Sequence, residues 1–211
     1  MIEVIGLAIN LQKGQRVDLT KGNPGLTKIM VGLGWDPVES KGGKGGLFGS
    51  LFGGGGASVN VDCDASVILL NENEKLKSNS DIIYFGNLIS SDGSIQHTGD
   101  NVTGDGAGDD EQIHIDLSRI PTTVHKLVFV VNIYDCLKRK QHFGMIKNAF
   151  IRIENPANRE EMIHYNLSDD YNGKTSLIVG EIYRSGSEWK FAAVGNGTSA
   201  PSLMELVRSY T

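Results

Sequence analysis

The amino-acid sequence predicts an all-β fold, a two-sheet antiparallel β-sandwich carrying a few short helices, one of them C-terminal. Three observations predict it. Short runs rich in β-branched and aromatic residues recur along the chain, each bounded by Gly, Asn, Asp or Ser. Alternation of period two is visible inside them: in Gln112-Ile113-His114-Ile115-Asp116-Leu117 every second residue is apolar, as a sheet with one wet face requires. Helical periodicity is scarce. A chain of 211 residues can bury roughly 70% of its unfolded surface, and two sheets laid face to face are the economical way for many strands to do so.

In chain order the predicted strands are Ile2–Ile9, Arg16–Thr20, Lys28–Gly34, Ala65–Leu70, Ile82–Phe85, Gln112–Leu117, His125–Tyr134, Ala149–Glu154, Glu161–Leu167, Ser176–Tyr183 and Trp189–Val194. Lys126–Ile133 is more continuously apolar than the rest and is expected at the centre of a sheet. Arg184-Ser185-Gly186-Ser187-Glu188 reads as a tight hairpin in which Gly186 supplies a positive φ. The C-terminal helix is marked by Leu203, Leu206, Val207 and Tyr210 at i, i+3, i+4 and i+7, with Ser202 and Glu205 spaced as a capping box. A second short helix is expected over Lys138–Phe143.

Residues 40–58 (SKGGKGGLFGSLFGGGGAS) break the strand pattern and hold nine of the 27 glycines. The segment is read as an insertion. Glycine-rich chain is costly to order, which favours a flexible loop. Leu47, Phe48, Leu51 and Phe52, flanked by Lys41 and Lys44, leave open a peripheral membrane contact or a partner groove.

Composition excludes several function classes. The formal charge of −5 removes the long-range attraction that dominates nonspecific nucleic-acid binding, so DNA and RNA are not expected partners. The two cysteines, Cys63 and Cys136, lack any zinc or redox spacing. No basic n-region with a long apolar h-region opens the chain, and no apolar run reaches the ~20 residues of a membrane span. A cytoplasmic location is expected.

The chemistry is concentrated in Gly99–Glu111, GDNVTGDGAGDDE, with five carboxylates (Asp100, Asp105, Asp109, Asp110 and Glu111), four glycines and no basic residue. Five like charges on so short a segment repel, and a divalent cation held by several of their oxygens relieves the repulsion. Calcium suits them best, taking six to eight oxygen ligands in flexible geometry, whereas zinc and copper prefer donors that are missing here. The EF-hand template does not fit: Val102 occupies a ligand position and Asp105 sits where that loop requires glycine. A solvated acidic turn is the alternative. Asp62 and Asp64, two apart at a strand start, point to one face and could chelate one ion or act as edge carboxylates. Asp36 could join them or be a simple turn residue.

VGLGWD (Val31–Asp36), DCDASVILLNE (Asp62–Glu72), DGSIQHTGDNVTGDGAGDDE (Asp92–Glu111), LVFVVNIYD (Leu127–Asp135), NAFIRIEN (Asn148–Asn155) and GEIYRSGSEWKFAAVGNG (Gly180–Gly197) resemble, in order and over nearly the whole chain, the TerD family of tellurium-resistance and stress-response proteins. The resemblance implies one calcium-binding β-sandwich domain over residues 1–211. It also implies a bacterial, cytoplasmic protein, peripheral to the inner membrane in part, whose partners are other tellurite-resistance proteins, some of them membrane-associated. Carried over by position, the metal ligands fall on Asp62, Asp64, Asp100, Asn101, Asp105, Asp109, Asp110 and Glu111, for one or two calcium ions. Two departures stand out: a family Glu is shortened to Asp105, and an Asp is replaced by Ala107. The insertion before Asp62 has no counterpart in the usual, shorter family chain.

No catalytic constellation is legible. His97, His114, His125, His142 and His164 are scattered, and GxSxG, HExxH and phosphate-cradling GxxxxGK[ST] motifs do not occur. His97, three residues before Asp100, is the one histidine placed for a site role. Cys63 lies between two carboxylates, which would suppress its thiolate. The leading expectation is a non-enzymatic protein in which calcium orders the acidic loop and promotes partner binding. Two others stay open: a metal-dependent phosphate-ester hydrolase, and a calcium-dependent membrane-docking module using Leu47–Phe52.

Overall fold

The computed structural model describes residues 8–37, 61–99 and 108–211. Twelve strands are formed among them: β1 (Ile9–Leu11), β2 (Arg16–Asp18), β3 (Lys28–Pro37), β4 (Cys63–Leu70), β5 (Ile82–Ile83), β6 (Ile95–His97), β7 (Glu111–Asp116), β8 (Lys126–Ile133), β9 (Ile146–Asn155), β10 (Glu160–Asn166), β11 (Ser176–Ser185) and β12 (Glu188–Thr198). They make two six-stranded sheets, ordered β1-β10-β9-β3-β7-β6 and β2-β12-β11-β8-β4-β5. The predicted sandwich is observed.

Alternation decides which side chains meet between the sheets. Ile29, Val31, Leu33 and Trp35 of β3, with Ile113 and Ile115 of β7 and Ile151 and Ile153 of β9, pack in one core with Cys63, Ala65, Val67 and Leu69 of β4 and Leu127, Phe129, Val131 and Ile133 of β8. A second, smaller core covers the outer face of the second sheet. There Ile68, Leu70, Val128 and Val130 lie under Leu203, Leu206 and Val207 of the helix α2 (Leu203–Val207). Burial on both faces is why β4 and β8 are apolar nearly throughout. The four edge strands are three residues or shorter, which limits the unpaired backbone they expose.

Several expectations are corrected. Among the described residues the first strand is Ile9–Leu11, which runs parallel to β10; residues 2–7 of the expected strand Ile2–Ile9 lie outside the described residues. Its neighbour is far off in sequence, so no hairpin forces it antiparallel. The three-residue β6 is too short to show a periodicity. The helix expected over Lys138–Phe143 is instead α1 (Cys136–Arg139) followed by a separate 3-10 turn, Phe143–Met145. Asp135 and Lys140 adopt left-handed conformations at its two ends and stop it after one turn. The C-terminal helix forms, with Ser202 Oγ accepting the Glu205 N–H, but the Glu205 carboxylate turns to Arg208 rather than back to the cap, and Arg208–Tyr210 closes as a 3-10 turn. Gly186 does take a positive φ, 66°, in the β11–β12 hairpin. The segment at 40–58 lies outside the described residues.

Candidate functional site at one pole of the sandwich

Antiparallel pairing gathers the acidic positions at one end of the molecule. β3 runs toward this end while β7 starts from it, with Leu33 opposite Glu111; β4 starts from it while β8 ends there, with Cys63 opposite Ile133. The two sheets are then tied together by side chains. β5 pairs only with Val67 and Ile68, so it stops short of Ala65, whose other edge faces β8. The first sheet fills the gap: Ala65 N–H donates to Glu111 Oε2 at 2.6 Å, and His97 Nε2 lies 3.1 Å from the Ala65 carbonyl oxygen. Gly99 N–H donates to His97 Nδ1 at 3.0 Å, which leaves Nε2 as the ring donor toward that carbonyl. Glu111 Oε2 is also 3.3 Å from His97 Nε2, and both side chains are fully buried. A backbone edge that would otherwise be buried unpaired is thus satisfied from the facing sheet.

The next carboxylates diverge. Asp110 N–H donates to the Leu33 carbonyl and Asp110 Oδ2 accepts the Trp35 N–H at 2.7 Å, so this residue extends the strand edge beyond β7. Burial, with Asp36, Glu111 and Asp109 close by, pushes its carboxyl up to about 6, against the opposing pull of the Trp35 N–H. Asp109 turns onto the outer face of the first sheet. Its two oxygens take Arg152 Nε and Nη2 at 2.6 and 2.7 Å, and Gln112 Nε2 donates to Oδ2 at 2.9 Å. The carboxylate lies over Gly32, where a Cβ would collide with it. Hydrogen bonding to Asp109 is the largest cause that holds the Arg152 guanidinium above its ordinary range, and Glu154 contributes from 2.9 Å.

On the second sheet, Asp62 and Asp64 are both buried, on the opposite face of β4 from Cys63 and Ala65. Arg139 Nη1 donates to Asp62 Oδ2 at 3.2 Å, and the Asp62 carbonyl accepts the Tyr134 N–H. Asn132 Nδ2 lies 3.4 Å from Asp64 Oδ2. Cys63 points into the core. Its burial first, then Asp64, Asp62, Glu111 and Asp110, push the thiol well above its ordinary pKa. Carboxylates thus act on one point from both sheets. Asp36 sits at the same pole and takes the Asn148 amide at 2.7 Å.

Of the ligands expected from the sequence, the structure brings Asp62, Asp64, Asp110 and Glu111 to one pole, sets Asp109 apart in its arginine clamp, and leaves Asp100, Asn101 and Asp105 outside the described residues. Among the described residues no group of three His, Cys, Asp or Glu side chains is placed to hold a metal ion. The available donors are oxygens, which fit a hard cation, and each of Asp62, Asp64, Asp109, Asp110 and Glu111 already carries a protein hydrogen bond. Arg152, Arg139 and Gly32 were not legible as site residues. Arg152 occupies a polar position between two core isoleucines, the pattern of any solvent-facing strand residue.

Comparison with known proteins finds relatives that match nearly the whole chain. The family model for the TerD domain matches residues 7–210. Stress response protein SCP2 of Bacillus subtilis (strain 168) is 63% identical over 204 residues, covering 97% of this chain and 100% of the relative. Tellurium resistance protein TerD of Serratia marcescens is 42% identical, covering 90% of this chain and 91% of the relative. The crystal structure of a telluride-resistance protein homologue from Streptomyces coelicolor A3(2) superposes with a TM-score of 0.61 at 18% identity, covering 86% of this chain and 98% of that one, and shares the fold.

Proposed function

The chain belongs to the TerD family of tellurium-resistance and stress-response proteins, and on that premise we propose that it is a calcium-binding, non-enzymatic stress protein whose acidic pole changes state when the ion binds. One observation carries the reading: the Glu111–Ala65 hydrogen bond seats the end of the acidic segment against the strand entry that holds Asp62 and Asp64. Carboxylates distant in sequence are thereby neighbours in space. Asp62, Asp64, Asp110 and Glu111 would contribute ligands to one or two ions, the remaining ligands coming from Asp100, Asn101 and Asp105. When bound, calcium supplies the positive charge that this pole lacks.

The protein's own groups set the terms of that event. Asp110, kept partly protonated near pH 6, gives up its proton as the ion enters. Asp109 serves as the anchor that fixes the segment to the first sheet, its charge already met by Arg152. Asp62 exchanges with Arg139, so ion binding would weaken one surface ion pair. The change in charge, and the ordering of the segment around it, is the signal offered to a partner, which we take to be another tellurite-resistance protein. Cys63 and His97 supply no reactive group to this scheme, since one is buried with a suppressed thiolate and the other is spent on backbone.

Calorimetric titration of chelator-treated protein with CaCl2, repeated in excess Mg2+ and with Asp64→Asn and Asp110→Asn, tests the proposal. Saturable binding that survives magnesium and is lost or strongly weakened in both variants is expected. Folded wild-type protein that takes up no calcium would refute it.

A further inference from the structure

Seven large hydrophobic side chains are exposed among the described residues, and five of them fall in two short stretches: Phe85, Leu88 and Ile89, and Tyr134 and Leu137. The stretches touch. The Phe85 and Tyr134 rings meet edge-on with centroids 6.4 Å apart, and Tyr84 meets Phe85 edge-on at 5.2 Å. Leu137 is 72% exposed. It stands out because left-handed Asp135 and Lys140 bracket the single turn of α1, which buries Cys136 and directs the next residues to solvent.

Those next residues are Lys138, Arg139 and Lys140, all exposed. A chain of net charge −5 therefore places three consecutive cations beside the main concentration of exposed aliphatic and aromatic side chains among the described residues. Arg139 lies over the Tyr134 ring at 5.4 Å and reaches Asp62, which holds this turn against the acidic pole. Asp135, 3.5 Å from Lys138, is the one carboxylate within the turn. The side chain of Lys138 is 83% exposed.

We propose that Phe85–Ile89 and Tyr134–Lys140 form a docking surface for an anionic lipid bilayer. Leu137 and Phe85 enter the headgroup layer while Lys138 and Lys140 meet lipid phosphates, the combination of apolar and basic groups that holds a protein at a membrane surface. Charge complementarity selects this occupant. An outstanding turn tipped by leucine and rimmed by lysine matches a soft, negatively charged plane, which needs no preformed groove to receive it. None of these residues is among the proposed calcium ligands, so the surface is present without the ion, although Arg139 pairs with Asp62 beside it.

The test uses the full chain in sedimentation with vesicles of phosphatidylcholine alone and of phosphatidylcholine with phosphatidylserine, all in EGTA, so that the calcium reading stands or falls separately. Co-sedimentation with the anionic vesicles only, weakening as salt is raised, is expected. The pairs Phe85→Ser/Leu137→Ser and Lys138→Ser/Lys140→Asn should each weaken it by about tenfold or more; exposed positions let these variants fold, which circular dichroism checks. Equal binding to uncharged vesicles, no binding in EGTA, or variants that sediment like the wild type would each overturn the proposal. Variant-sensitive self-association in ultracentrifugation without vesicle binding would overturn it in favour of a contact between copies.

Discussion

At Asp109 the carboxylate side chain is 1% exposed and meets a guanidinium through both of its oxygens. Removing one partner of such a pair strands a charge in a poorly solvated place, so Arg152→Gln should lower stability by about 3 kcal/mol. Gly32→Ala should also destabilise, by about 1–3 kcal/mol, because the added methyl meets the clamped carboxylate and the strand beneath cannot move away. Denaturant unfolding of both variants measures these costs; losses within error would show that the clamp is incidental. The same geometry separates two aspartates that look alike in sequence. Asp109→Asn is expected to cost stability and leave the calcium stoichiometry unchanged, whereas Asp64→Asn should reduce calcium binding; calorimetry showing the reverse would exchange their roles.

At the scale of elements, α2 is a lid over the second core, and its hold comes from three apolar side chains on two strands buried from both faces. Leu206→Ala should cost about 3 kcal/mol through a cavity under the helix, and Ser202→Ala about 1 kcal/mol through loss of the cap. Thermal unfolding ranks the two, and equal effects would contradict this account. Tyr210 closes the lid. Burial, with Glu181 and Glu74 nearby, raises its hydroxyl to about 12. A folded pKa above the unfolded value near 10 means that this group's contribution is complete below pH 10 and is lost as pH rises toward 12. Unfolding by alkali should therefore track a late tyrosine ionisation in the ultraviolet, and Tyr210→Phe should delay both.

For the whole molecule, the acidic pole couples stability, protons and the proposed ion. Asp110 is raised from 3.8 to about 6, so without calcium its contribution to stability is full below about pH 4 and is lost as pH rises through 6. Protons and calcium compete for the same oxygens. Calcium should consequently raise the melting temperature of chelated protein more at pH 7.5 than at pH 5, and Asp110→Asn should flatten that difference. Scanning calorimetry in EGTA and in CaCl2 at the two pH values decides it; a calcium effect independent of pH would remove Asp110 from the site. The fold keeps this pole and the Leu137 turn adjacent through the Arg139–Asp62 ion pair, so charge changes at one are felt at the other.

The sandwich, most of its strands, the central place of Lys126–Ile133, the β11–β12 hairpin and the capped C-terminal helix were all legible from periodicity and turn chemistry, because these depend on residues close in sequence. The concentration of carboxylates at 99–111 was legible too, since composition alone exposes it; that Asp62 and Asp64 belong with them is what the family resemblance implies. What only the tertiary structure decided is how those carboxylates are used. Whether an aspartate meets a guanidinium, a strand edge or open space depends on which strands the pairing makes neighbours. The partners that matter here are distant in the chain: Arg152 for Asp109, Ala65 for Glu111 and Arg139 for Asp62. A local pattern fixes the element to which a side chain belongs, and the register between elements fixes the charge it meets.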